Sequence, residues 1–304
     1  MLARLEQGVV LAWLTALALA VGLPWHAGQP LKALWGGALV LCSHALWLLL
    51  TFSLMRWRNL DDPAPRASWA QWLSAWWGEV KAAPRVFGWR QPFRSNALAD
   101  FLPEPASRGR TGVLLVHGFV CNRGLWNPWM ARLRTAGVPH VAVTLEPVFG
   151  SIDEYPALIE AGVRQLELAT GERPLLVGHS MGGLAIRAWL DRFHGDDRVA
   201  GVITLGSPHH GTWLAKLSRW TLNGAQMRPD GDWLRALAVR EPRSRHELFL
   251  CLFSHCDNIV FPASTAVLEG ARSKHVAACA HVDLVHHPEG WAALRDALGL
   301  PGEV

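Results

Sequence analysis

The sequence predicts an α/β protein with a mostly parallel central sheet and helices on both faces, preceded by an N-terminal transmembrane helical hairpin. Three observations carry this. From residue 110 onward short apolar runs alternate with longer amphipathic ones, two long apolar runs fill the first 55 residues, and at 175–190 an apolar run passes through a glycine-flanked serine into a helical pattern. Of the 304 residues 50% are hydrophobic and only 18% charged, which excludes wholesale disorder and supplies a sizeable core.

The hairpin comes first. Residues 9–23 read VVLAWLTALALAVGL and residues 33–55 read ALWGGALVLCSHALWLLLTFSLM, with the short HAGQPLK stretch between them. The second run is long enough to cross a bilayer as a helix, and the first reaches that length through Trp25, a residue type common at membrane interfaces. Arg4, Arg56 and Arg58 flank the pair while the loop holds only Lys32, so the positive-inside tendency expects both termini in the cytoplasm. A cleaved signal peptide is the competing reading, weakened by Glu6 and by the second apolar run.

Residues 58–68, RNLDDPAPRAS, read as a linker. The following WAQWLSAWWGEVKAAPRVFGW sets Trp69, Trp72 and Trp76 at helical spacing, an amphipathic helix that packs on its own domain or lies in the headgroup layer. The organisation expected is therefore a hairpin at 1–57, a linker with a tryptophan-rich helix at 58–104, and an α/β domain at 105–304 with a small cap around 208–235.

In that domain strands are expected at 111–117, 140–146, 173–179, 199–206, 247–254 and 274–280. Helices are expected at 126–136, 153–170, 181–194, 230–239, 262–270 and 289–299. Such alternation argues a parallel sheet covered on both faces, with ligands at the carboxyl ends of its strands. The formal charge of +4 is diffuse and forms no basic-aromatic patch, so nucleic-acid binding has no footprint. Five irregularly spaced cysteines suggest free thiols rather than a disulfide framework, with one bridge from Cys251 to Cys256 or Cys279 as the alternative.

The chemistry centres on GHSMG, residues 178–182, between an apolar strand and a helix. That is the context of a nucleophile elbow, where flanking glycines leave room for a tight turn that lifts Ser180. Oxyanion donors are expected from the backbone N–H groups of Phe119, after the strand ending at His117, and of Met181. A hydroxyl nucleophile needs a base, and the base needs a carboxylate to orient it. Asp257 follows a strand and either fills that role or closes an Asx turn on its own backbone; His281 lies in the loop after the last candidate strand. His117 reads as structural. Leu125, Trp126, Phe149, Trp213 and Leu214 are candidates for an apolar substrate pocket or for core. No phosphate-binding loop and no metal-ligand spacing is present, and no cofactor is expected.

The motifs LLVHGFVCNRGLW (114–126), VGHSMGG (177–183), TLGSPHHGT (204–212), SHCDNIVFP (254–262) and AHVDLVHHP (280–288) resemble the α/β-hydrolase superfamily, and within it bacterial membrane-associated lipases and esterases of the triacylglycerol lipase type. The resemblance implies the α/β-hydrolase fold and ester hydrolysis by Ser180, His281 and Asp257 without a cofactor. Tethering such a site to the bilayer raises the concentration of lipid it meets, so a lipid or small acyl ester is the expected substrate; an inner-membrane anchor with the catalytic domain on the cytoplasmic side is expected, and no obligatory protein partner. Some such lipases hold a structural calcium partly through an aspartate just after the histidine, the position of Asp283. An acyltransferase, thioesterase or peptidase on the same fold would share the triad, and a noncatalytic lipid-binding protein is the remaining alternative.

Overall fold

The computed structural model describes residues 1–218 and 220–301. Arg219, inside the expected cap, and residues 302–304, at the end of the expected 105–304 domain, lie outside the described residues.

Both apolar runs are helices, α1 (Leu2–His26) and α2 (Pro30–Arg58), each longer than its apolar run because polar end residues continue the helix. They pack against each other across the turn at 27–29 and leave Leu11, Leu14, Leu19, Leu34, Trp35 and Leu39 exposed. Two helices of this length and hydropathy are consistent with a membrane-spanning hairpin.

The open ends of the hairpin are fastened to the rest of the protein. The Met1 ammonium pairs with Glu146 at 2.9 Å, and Gln7 Nε2 donates to the Pro92 carbonyl at 2.7 Å. Leu48, Phe52 and Met55 of α2 share an apolar cluster with Cys256, Phe261 and Ala280. The expected linker is instead an ordered strap. Asn59 donates to the His255 carbonyl (3.0 Å) and accepts from the Ala263 amide (3.1 Å), while Asp62 accepts from both the amide and the hydroxyl of Ser264. Its polar side chains satisfy loop groups that would otherwise lack partners, which a composition-based reading as a spacer overlooks.

Helix α3 (Trp69–Arg85) opens with a reciprocal capping box between Ser68 and Gln71. Trp72, Ala75, Glu79 and Ala82 form its buried stripe, and the Trp72 and Trp76 indoles donate to the Phe52 and Ala45 carbonyls of α2. Trp69 and Trp77 face outward. A π-helical turn (Val86–Arg90) and the short α4 (Gln91–Arg94) follow.

The sheet runs β1 (Val113–Val116), α5 (Asn127–Thr135), β2 (His140–Val143), α6 (Pro156–Thr170), β3 (Leu175–His179), α7 (Met181–Phe193), β4 (Gly201–Leu205), then α8 (Leu222–Gln226), α9 (Asp232–Arg240) and α10 (Arg243–His246). It ends with β5 (Phe249–Phe253), β6 (Arg272–His275), α11 (Asp283–His286) and α12 (Pro288–Ala297). Among the described residues the six strands lie in the order β2-β1-β3-β4-β5-β6, and every pairing is parallel. Alternate residues of β1 go to opposite cores: Val113 and Leu115 pack with Trp126, Trp129 and Leu294, whereas Leu114 and Val116 pack with Ile159, Leu184 and Trp189. Burial on both faces explains why the inner strands read as continuous apolar runs.

Two expected elements differ. The last strand is Arg272–His275 rather than 274–280. It is a polar edge strand, and the apolar run beyond it is a loop whose Val276, Cys279 and Ala280 are buried. The helix expected at 262–270 is only a 3-10 turn, Ala263–Ala266, held from outside by Asp62 on Ser264. The five cysteines are free thiols, four of them buried.

Candidate active site

Ser180 joins β3 to α7 with φ 54° and ψ −128°, a conformation that costs a non-glycine residue about 1–3 kcal/mol and persists only where its surroundings enforce it. The Ser180 amide donates to the Leu205 carbonyl at 2.9 Å, and the glycines let the chain close in. A Cβ on Gly182 would run into the Val116 and His117 carbonyl oxygens. One on Gly118 would lie 2.7 Å from Ser180 Cβ, so the segment leading to Phe119 passes directly beside the serine. Among the described residues neither the Phe119 nor the Met181 amide donates to a protein acceptor.

Asp257 and His281 meet as expected, with Asp257 Oδ2 2.8 Å from His281 Nδ1 and both side chains buried. The two readings of Asp257 coexist. Its Oδ1 closes the local turn by accepting from the Ile259 (2.9 Å) and Val260 (2.7 Å) amides, which leaves Oδ2 aimed at the imidazole. Burial pulls the His281 imidazole down, but the Asp257 carboxylate, by charge and hydrogen bond, and the Glu79 carboxylate together hold it above its ordinary 6.5.

Three further groups grip His281. His179, the residue before Ser180, stacks on it with ring centroids 4.6 Å apart and donates from Nε2 to the His281 carbonyl at 3.1 Å. This ties the His281 loop to the serine turn. The His281 amide donates to Asn258 Oδ1 at 3.3 Å, and Asn258 Nδ2 donates to Thr51 of α2. Glu79 of α3 accepts from the next two amides, Val282 and Asp283. Sequence reasoning missed His179, Asn258 and Glu79. The first two adjoin the residues it singled out, whereas Glu79 carries no local signal.

His117 is structural: Nδ1 donates to the Gly118 carbonyl and Nε2 accepts from the Leu145 amide, each at 2.9 Å, and burial pushes the ring down to about 4. The pocket candidates separate. Leu125 and Trp126 are fully buried among the residues packed on one face of the sheet, in line with the core alternative of the two readings. Phe149 is exposed edge-to-face with Phe119. Trp213 stacks on Phe261 under the Arg58 guanidinium, and Leu214 packs on the α2–α3 cluster. The segment after β4 forms a 3-10 turn (Trp213–Leu217), α8 and α9, and it displays Leu217, Trp220 and Leu222 to the outside.

Asp283 does not suit calcium. It borders a cavity of about 280 Å³ shared with Lys81, Arg85, Arg90 and His287, and among the described residues no three His, Cys, Asp or Glu side chains are grouped to hold an ion. Hard cations need several oxygen ligands, and the side chains lining this cavity offer one carboxylate beside Lys81, Arg85 and Arg90.

The sequence family described as alpha/beta hydrolase fold matches residues 149–229. Among curated proteins, "Probable esterase PIR7A" of Oryza sativa subsp. indica is 33% identical over 105 residues, 31% of this chain and 38% of that protein. "Esterase PIR7B" of Oryza sativa subsp. japonica is 32% identical over 111 residues, 33% of this chain and 40% of that protein. The chain thus spans about two fifths of the length of these relatives. Among solved structures, the mature form of Bacillus licheniformis lipase BlEst2 superposes with a TM-score of 0.55 at 18% identity, over 64% of this chain and 94% of that one. Aspergillus fumigatus lipase B gives 0.56 at 19% identity, over 67% and 57%. Sheet order, serine turn and these matches together show that the chain has the α/β-hydrolase fold.

Proposed function

We propose that the protein is a membrane-anchored serine ester hydrolase acting on lipid or other acyl esters. The observation that carries this reading is the buried Asp257–His281 pair at 2.8 Å, tied through His179 to a serine held at positive φ. His281 takes the Ser180 proton as Oγ attacks the ester carbonyl, and the Phe119 and Met181 amides stabilise the oxyanion. The imidazolium then protonates the departing alcohol, and water activated by the same histidine clears the acyl-enzyme.

The substrate class follows from where the anchor attaches. Met1 pairs with Glu146 beyond β2, and α2 packs against the loops after β5 and β6. These are the carboxyl ends of the strands, the edge at which Ser180 lies, so the hairpin would hold the site against the bilayer and raise the concentration of lipid it meets. Residues 1–57 are the anchor in this reading, in the inner membrane of a bacterium with both termini cytoplasmic. Residues 105–304 are the catalytic domain, capped around 208–235 by a segment whose Trp213 and Leu214, with Phe149 from the loop after β2, meet the acyl chain.

The test is hydrolysis of p-nitrophenyl esters of increasing acyl length by detergent-solubilised full-length protein, with fluorophosphonate labelling of Ser180. Labelling with turnover that persists on long chains is expected. Labelling with turnover confined to short chains would remove the lipid assignment, and no labelling would remove the serine mechanism.

Replacing Asp257 with asparagine gives a second expected result. The wild-type base must be neutral, so kcat/KM falls as pH drops through a value above 6.5, the direction in which His281 is held. Without the carboxylate that limb moves to lower pH, and kcat falls by about 10⁴ because the imidazole is no longer held in the working tautomer. An acid limb that stays in place would show that His281 is not the base.

A further inference from the structure

A catalytic histidine on a loop needs its backbone held as firmly as its ring, because the loop decides where Nε2 points. Here the holding groups lie far outside the sheet. Glu79 sits in the middle of α3, is only 2% exposed, and touches a loop 203 residues away in sequence. Its carboxylate accepts from the Val282 amide at 3.2 and 3.1 Å and from the Asp283 amide at 3.0 Å. Gly78 beside it lets α3 come down onto the Asp283 side chain. On the other side of the loop, Asn258 holds the His281 amide and is itself held by Thr51 of α2. Three consecutive amides, 281 to 283, are thus gripped by groups that lead back to the N-terminal helices.

A buried carboxylate without a cationic partner is costly, so its place here asks for a reason. Around it are His281 and Asp257, together with Asp283 and Cys279 of the same loop, and His179 stacks on the far side of His281. Lys81 and Arg85 of α3 act instead on Asp283. Among these groups the one positive charge that the proposed reaction creates is the His281 imidazolium. We propose that Glu79 is a positioning residue for His281, fixing the loop through two backbone amides and placing a second carboxylate charge behind the imidazolium, so that α3 and the α2 it packs on form part of the catalytic apparatus. Burial pushes Glu79 up to about 7, opposed by His281 and the two amides, so the carboxylate gains its charge over the range in which the base must work. The proposal rests on the serine-hydrolase reading above.

The test uses full-length Glu79→Gln in detergent, beside wild type and His281→Ala. Glutamine matches the shape but removes the charge and one acceptor. The expected result is a kcat lowered about 10- to 100-fold at unchanged KM, with the acid limb of kcat/KM moved to lower pH because a negative charge near the imidazolium is gone. Glu79→Asp restores the limb, since the charge returns, but only part of kcat, since the shorter side chain cannot reach both amides. A folded Glu79→Gln with wild-type kcat and an unmoved limb, on an enzyme that His281→Ala inactivates, overturns the proposal and leaves the triad standing. Full activity in His281→Ala overturns both. If the glutamine variant fails to fold, Glu79→Asp decides: lowered kcat at constant KM supports the proposal, and wild-type kcat removes it.

Discussion

Replacing Ser180 with alanine is expected to lower ester turnover by about 10⁶ while leaving the fold intact. The size follows from the proposed mechanism, in which the hydroxyl is the atom that bonds to the acyl group. The oxyanion amides and the binding surface would remain, supporting only the residual rate that preorganised donors give to attack by water. Stability should change little. Alanine meets the same steric objection to φ 54° as serine, and the backbone bond from residue 180 to the Leu205 carbonyl is untouched. The measurements are steady-state hydrolysis, fluorophosphonate labelling and the melting temperature of the same preparation. Retention of more than about 1% of kcat would remove Ser180 as nucleophile, since no other mechanism term recovers so much of a lost covalent step.

How far the site could be read in advance depended on whether each signal was local. The serine turn was legible because its constraints lie within five residues: strand, two glycines, helix. Asp257 was legible because it follows a strand buried on both faces, and such strands announce themselves by composition. His281 is legible although the strand expected at 274–280 ends at His275. Its apolar approach, VAACA, is buried as a loop, and burial alone does not separate a loop from a strand. Leu125 and Trp126 were ambiguous for the same reason, since a residue near the catalytic edge can face the cleft or the core and the sequence carries no mark of which.

Glu79 was out of reach of any local pattern. In its helix it is one acidic residue among tryptophans, and it falls on the buried stripe only once Trp72, Ala75 and Ala82 are known to be the buried positions. Its partners are amides, which have no sequence identity at all. The strap at 58–68 was opaque in the same way: proline and aspartate signal a break in regular structure, but not that Asn59 and Asp62 bind the loop after β5. The first hundred residues, which composition suggests are an anchor and a spacer, therefore supply hydrogen bonds to the loops that carry Asp257 and His281. A chain lacking them would lose both the partners of those loops and the cover over Cys256, Phe261 and Ala280.

The largest effect on stability is expected from Glu241→Ala. Arg187 of α7 is 2% exposed, and its guanidinium donates to both oxygens of Glu241 from Nε (3.0 and 3.2 Å) and again from Nη2. Nη1 donates to the His209 carbonyl at 2.8 Å, so the ion pair also holds the chain where it leaves β4. Removing Glu241 strands a buried positive charge, and breaking such a pair on one side costs about 3–5 kcal/mol. In a domain of this size that lowers the melting temperature by about 10 °C. Replacing both partners, Arg187→Met with Glu241→Leu, should cost much less than the sum of the single changes, because no charge is left unpaired. The loop at 207–212 would still lose its hold on the His209 carbonyl in the double variant. Its melting temperature should therefore recover while turnover of bulky esters stays low, which separates the electrostatic role of the pair from its role in fixing the segment after β4. Single substitutions that each cost under about 1 kcal/mol, with no coupling between them, would show that the pair holds neither.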